Sequence, residues 1–118
     1  QLEKGSTATA FDYRDYGREL SMCQRYYEII GETVGSVIFQ SYNGGSGIAR
    51  SPAFYKVNKR ATPTAVIAGT WGFSNGSSIT SEAAGVDSVR VAWTISAGGI
   101  SYVINNATGA QINILAEL

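Results

Sequence analysis

Val89, Val91, Trp93 and Ile95 alternate along the chain with Ser88, Arg90, Thr94 and Ser96. Side chains of a strand point to opposite faces at a period of two, so this pattern buries one face and wets the other. Such half-wet strands belong to antiparallel sheets. Ile112, Ile114, Ala116 and Leu118 repeat the alternation, so the last strand is expected to run to the carboxyl terminus. Turn signals at Asn43-Gly44-Gly45, Asn75-Gly76 and Gly98-Gly99 separate candidate strands, and the strand-and-turn region is punctuated at the roughly 8–12-residue rhythm of sandwiches and barrels. The candidate strands are residues 34–42, 48–58, 64–71, 77–81, 86–97, 99–105 and 111–118. The expected fold is all-β, an antiparallel β-sandwich of jelly-roll-like form.

One helix is expected in front of it. Tyr13, Tyr16, Leu20, Cys23, Tyr27 and Ile30 recur at spacings of three and four, a single apolar stripe from about Asp15 to Ile30. Asp15 can cap its start and Gly31 can end it with a left-handed residue. Packing under the sheet and an axial contact between subunits both fit that stripe, with Arg18, Arg25 and Glu28 off it and facing water or a neighbour. The expected organisation is therefore residues 1–14 as an extended linker from an upstream module, 15–31 as helix and 32–118 as β-sandwich. Beginning at Gln1, with Met22 its one methionine, the chain is expected to be part of a longer polypeptide.

Composition removes several chemistries. The chain has no histidine, which excludes Ser-His-Asp and Cys-His nucleophiles, histidine metal ligation and a histidine pH switch. Its single cysteine, Cys23, cannot close an internal disulfide or build a cysteine-rich zinc site. Nine basic and nine acidic residues cancel to a formal charge of zero, against a nucleic-acid partner found through bulk charge. No apolar run is long enough to span a bilayer as a helix, so no membrane insertion is expected.

Two stretches and the terminus carry a family resemblance. QLEKGSTATAFDYRDYGRELSMCQRYYE (residues 1–28), KVNKRATPTAV (56–66) and the closing AEL (116–118) resemble the C-terminal domain of bacteriophage tail-fibre and tail-tip proteins. That family opens on a QLE-x-G pattern leading into EL-x-x-CQRYY, and continues with an RA-x-PT strand and a closing AEL. Residues 69–111 match it only in strand rhythm. Lys59 stands where the family usually has Met, and Ala10 where Pro is common, changes read as touching no polar role. The resemblance implies a virion structural domain at the distal tip of a fibre, outside the host cell. It further implies a homotrimer joined to upstream fibre modules and engaging the host cell surface, with no cofactor and no enzymatic activity.

Among the motif residues, Arg14, Glu19, Leu20, Cys23, Gln24, Arg25, Tyr26, Tyr27, Arg60 and Pro63 are expected to be structural. Glu19 and Arg25 could tie the helix to the sheet or to another chain by charge-assisted hydrogen bonds. Cys23, on the apolar stripe, is expected to be buried as a small hydrophobe.

The candidate ligand surface is the Gly-rich segment Trp71-Gly72-Phe73-Ser74-Asn75-Gly76, with Tyr42-Asn43 as a second pair. Sugar recognition needs a flat apolar ring and planar polar partners, which Trp71, Phe73, Asn75, Tyr42 and Asn43 supply. The competing reading buries Trp71 at its strand end and plugs the sandwich rim with Phe73; Trp93 is expected in the core. Lys56, Lys59 and Arg60, with Arg50 nearby, could meet an anionic polysaccharide or lipopolysaccharide phosphate, or form a solvated strand face. Glycoside hydrolysis needs paired carboxyls about 5–10 Å apart. Glu82 and Asp87 are the nearest pair, with no aromatic or Arg-rich setting close in sequence.

The function expected on these grounds is attachment of a virion to a host cell-surface polysaccharide or lipopolysaccharide. The alternative is a trimerisation cap whose neighbouring modules do the recognition.

Overall fold

The computed structural model describes residues 15–116. The expected linker 1–14, with Arg14, and the terminal Glu117 and Leu118 lie outside the described residues. Among the described residues, one helix, α1 (Tyr16–Gln24), precedes nine strands: β1 (Tyr27–Ile30), β2 (Val37–Asn43), β3 (Gly47–Phe54), β4 (Thr64–Ala68), β5 (Trp71–Ser74), β6 (Gly76–Ala84), β7 (Ser88–Ile95), β8 (Gly99–Asn105) and β9 (Gln111–Leu115). The fold is all-β and antiparallel, a sandwich with one short helix in front.

Its topology is a three-stranded ribbon creased twice. The sheets run β1-β9-β4 (sheet A), β2-β8-β5 (sheet B) and β3-β7-β6 (sheet C). In chain order, β1 to β3 form one edge of all three sheets, β4 to β6 the other edge, and β7 to β9 return through the centre. Laid flat, residues 27–54 would extend roughly 90 Å at ~3.3 Å per residue. The connection 55–63 must then bring the chain from the end of sheet C back to the start of sheet A, and even fully extended it reaches only ~30 Å. The ribbon therefore has to fold back on itself. Tyr55 N donates to Asp87 O (2.9 Å) and Lys59 N to Val86 O (2.6 Å), holding the connection against the β6–β7 turn. Ser81 Oγ donates to Ala65 O (3.0 Å), joining sheet C to sheet A.

The inward face of the central strand is the core. Val89, Val91, Trp93, Ile95, Ile112 and Ile114 are all buried, as the alternation predicts, and Val103 joins them. Phe39 stacks on Trp93 with ring centroids 6.0 Å apart, and Trp93 Nε1 donates to Ser101 Oγ at 3.0 Å. The strand carrying the last alternation ends at Leu115, and Ala116 N donates to Tyr26 O (2.7 Å).

Both creases are held by asparagines. At the A–B crease, Asn105 is fully buried; its Nδ2 donates to Gly31 O (2.5 Å) and Ala110 O (2.7 Å), and its Oδ1 accepts from Ala107 N (3.2 Å). Gly69 turns there with φ +75°, where a Cβ would collide with the Gly109 and Ala110 backbone. At the B–C crease, Asn75 takes φ +53°, a left-handed conformation that Asn tolerates better than most residues.

The helix is shorter than its stripe. Asp15 caps it as expected, Oδ2 accepting from Arg18 N at 3.1 Å, but it ends at Gln24, and Tyr27–Ile30 pair instead with β9. Residues 27 and 30 satisfy a helical period, yet Tyr-Glu-Ile-Ile also suits a strand, and the ladder to Leu115–Ile112 decides. No α1 residue is buried. Leu20 and Cys23 are exposed, which corrects the expected burial of the thiol and shows that the stripe does not pack under the sheet.

Candidate functional site

The structure divides the five residues expected to form a glycan surface between the inner and outer faces of sheet B and its edge. Trp71 faces inward, 8% exposed, with its Nε1 donating to Ala68 O at 2.9 Å. Phe73 packs partly buried against the same core. Asn75 spends its amide on the backbone: Nδ2 donates to Ala97 O (3.0 Å) and Ile100 O (3.3 Å), and Oδ1 accepts from Ala97 N (3.1 Å). The Trp71–Asn75 segment is thus an inward strand and a crease clasp, not an open turn. Period two sets the direction: Trp71 and Phe73 oppose Asn105 and Val103, both buried on the inner face. Tyr42, 75% exposed, lies on the outer face of sheet B opposite Ile100, with half-buried Asn43 after it.

Gln24, Arg25, Tyr26 and Arg60 of the motif meet at one junction. Lys59 is buried, its Nζ 2.6 Å from Glu28 Oε2 and 2.5 Å from Gln24 O, and it lies 4.8 Å from the Tyr55 ring centroid. Glu28 also accepts from Lys56 N at 2.9 and 3.2 Å. Arg60 Nη1 donates to Tyr26 Oη (2.9 Å), and Arg60 N to Arg25 O (3.3 Å). Pro63 is buried beside them in sequence, while Arg25 itself is exposed. The CQRYY and RATPT stretches are therefore two halves of one staple that ties the long connection to β1 and the helix end. This overturns the solvated reading of Glu28 and Lys59, and Lys59 does carry a polar role. Tyr55, against the staple, has a buried hydroxyl with no hydrogen-bond partner among the described residues. Burial, then the Asp87 and Glu28 carboxylates, push its pKa up to about 12.

Among the described residues, a further surface open to a ligand lies along β3. A groove of about 420 Å³ runs between the β1–β2 crease and the end of β3, lined by Ile29, Ile38, Val37, Glu32, Phe54 and Lys56. The Phe54 ring is 70% exposed. It combines an apolar ring, an apolar floor and charged groups of both signs, the mixture that small-ligand sites use. Sequence reasoning missed Phe54 because residues 48–58 read only as a strand, with no face assigned to the ring. The available signal was the mismatch between a large ring and its outward parity beside Arg50.

Arg50 follows on the same face. Its Nε donates to both Glu82 oxygens (3.1 and 2.9 Å), and Arg90 Nε lies 2.8 Å from Glu82 Oε2. The Arg50 hydrogen bond, foremost among several effects, holds the Glu82 carboxyl below its ordinary value of 4.5. Glu82 thus does have an arginine setting, supplied across the sheet. Asp87 is elsewhere, accepting from Ser88 Oγ at 3.0 Å.

No known protein family, curated protein or solved structure matches the chain. Among the described residues, no helix is long and apolar enough to cross a membrane.

Proposed function

We propose that this chain is the distal receptor-binding module of a phage tail fibre and attaches the virion to a host cell-surface glycan. The observation that carries the reading is the 70%-exposed Phe54 ring on a groove whose floor is Ile29 and Ile38. A sugar ring stacks its C–H face on such a ring, while Lys56, Glu32 and backbone groups of the groove meet its hydroxyls. One such site is weak, about millimolar or ~4 kcal/mol. Three coaxial copies in a fibre would convert the later contacts into intramolecular ones and supply avidity.

Adsorption of the purified domain to host cells tests this. Phe54→Ala should remove on the order of 1–3 kcal/mol per site, the scale of a base on an aromatic ring, and abolish adsorption with the melting temperature unchanged. Full adsorption by Phe54→Ala refutes the groove as receptor site.

The trimer-cap reading has its own supporting observation. Tyr27, Val66 and Leu115 share the outer face of sheet A and are each nearly half exposed. Three exposed apolar side chains on one face, interspersed with Thr64 and Asn113, suit contact with another copy. Light scattering should report three chains, and Leu115→Glu should release monomers. A wild-type monomer at micromolar concentration would sink both the cap and the avidity argument.

A further inference from the structure

We infer that the outer face of sheet C reads a negatively charged group on the ligand, the carboxylate of an acidic sugar or a sugar phosphate. Arg50 and Arg90 are the ligand-binding cations, and Glu82 positions both. The inference rests on the glycan-binding reading and names the class of glycan.

Glu82 sits in a β-bulge: the β6–β7 register shifts between Ser81 and Ala83, leaving Glu82 as the extra residue. Bulges re-aim a side chain, and here the carboxylate is aimed across the sheet at Arg90 on β7 and Arg50 on β3. Two guanidiniums share one carboxylate, so the cluster carries a surplus positive charge. Each is engaged through Nε, one of five N–H donors in a planar fork that matches carboxylate and phosphate. The two arginine side chains remain 50% and 55% exposed, against 25% for Glu82. The guanidiniums are thus pinned in place and still reachable from solvent.

Three surroundings favour a ligand over a purely stabilising role. A single exposed ion pair adds little to stability, and the second guanidinium leaves one positive charge beyond what pairing with Glu82 needs. The strand region is the positive part of a neutral chain: from 33 to 116 the bases are Arg50, Lys56, Lys59, Arg60 and Arg90, the acids Glu82 and Asp87, and Lys59 is neutralised by Glu28. The cluster also has concave surface nearby. Phe54 lies four residues along the same face of β3, ~14 Å away at ~3.4 Å per residue. On the other side, a hollow of about 270 Å³ lined by Thr62, Pro63, Ala65 and Ala84 opens beside Glu82.

The test compares four surfaces in pairs that differ only in charge: polygalacturonate against its methyl ester, and phosphomannan against mannan. The wild-type domain should prefer at least one charged member about tenfold or more, the scale of one charge-assisted hydrogen bond, and added salt should erode that preference. Which pair shows it identifies carboxylate or phosphate as the group read. Arg50→Gln with Arg90→Gln should remove the preference while leaving the melting temperature unaltered. Preference retained in that double variant, or equal binding of charged and neutral members by wild type, overturns the inference. Equal binding lost in Phe54→Ala would leave glycan recognition standing without the charge reading. Absence of binding to all four surfaces, together with full host-cell adsorption by Phe54→Ala, overturns both.

Discussion

Lys59 Nζ and Glu28 Oε2 are 2.6 Å apart with both side chains buried, joining the long connection to the first strand across 31 positions of sequence. Their attraction is offset by the cost of removing two charges from water, so the pair acts less as net stabilisation than as a specification of where the connection docks. Leaving one charge without the other is the expensive state.

Lys59→Met should therefore destabilise by about 3–5 kcal/mol, because it strands the Glu28 carboxylate in the interior. Glu28→Leu with Lys59→Met should cost clearly less than the sum of the two single changes. A double-mutant cycle by urea denaturation measures this, and strict additivity would show that the ammonium and carboxylate do not interact.

Asn75 should behave as a clasp. Asn75→Ala loses its amide bonds to the Ala97–Ile100 turn and puts a Cβ-bearing residue without them at φ +53°; a loss of roughly 2–4 kcal/mol is expected. Asn75→Gly keeps the backbone conformation at no steric cost, and should be milder by about 1 kcal/mol. Thermal melts of the two variants check the order. Glycan or cell binding per folded molecule should be unaltered in both.

Trp71 and Trp93 should respond alike. Either change to Ala empties the core and should cost about 3–5 kcal/mol. Trp71→Phe preserves most of the apolar volume and should lose chiefly the bond to Ala68 O, about 1 kcal/mol. If Trp71→Ala removed cell binding with an unchanged denaturation midpoint, Trp71 would be a ligand platform and its buried position wrong.

Tyr55 makes an alkaline prediction. Its pKa is raised from 10.0 to about 12 in the folded protein, so the native state holds this proton more tightly than the unfolded chain. The associated stability is complete below pH 10 and is lost as pH rises through about 12. Tyr55→Phe should flatten that part of the stability–pH curve. At neutral pH it should be neutral or slightly stabilising, since it removes a buried hydroxyl without a partner. A sizeable loss of stability at neutral pH would mean that the hydroxyl is hydrogen-bonded after all.

The sequence by itself determined the strand class, the inward residues of the central strands and the turn positions. Period two is local: Val89, Val91, Trp93 and Ile95 share a face whatever lies beyond them, and Asn75-Gly76 and Gly98-Gly99 break strands locally, although the tertiary structure makes them creases between sheets and not hairpins. The start of the helix was legible for the same reason, since the bond from Arg18 N to Asp15 spans three residues. Its end was not, because Tyr27–Ile30 satisfy a helical stripe and a strand equally, and only pairing with β9, more than eighty residues away, chooses between them. Tertiary structure alone also decided which faces of the ribbon are covered. That the 55–63 connection folds the ribbon back sends Trp71 inward, buries Lys59 on Glu28 and leaves Phe54 open. The bulge at Glu82 likewise brings Arg50 and Arg90 to one carboxylate. Charges and rings on such a chain take their roles from long-range contacts, which local spacing does not encode.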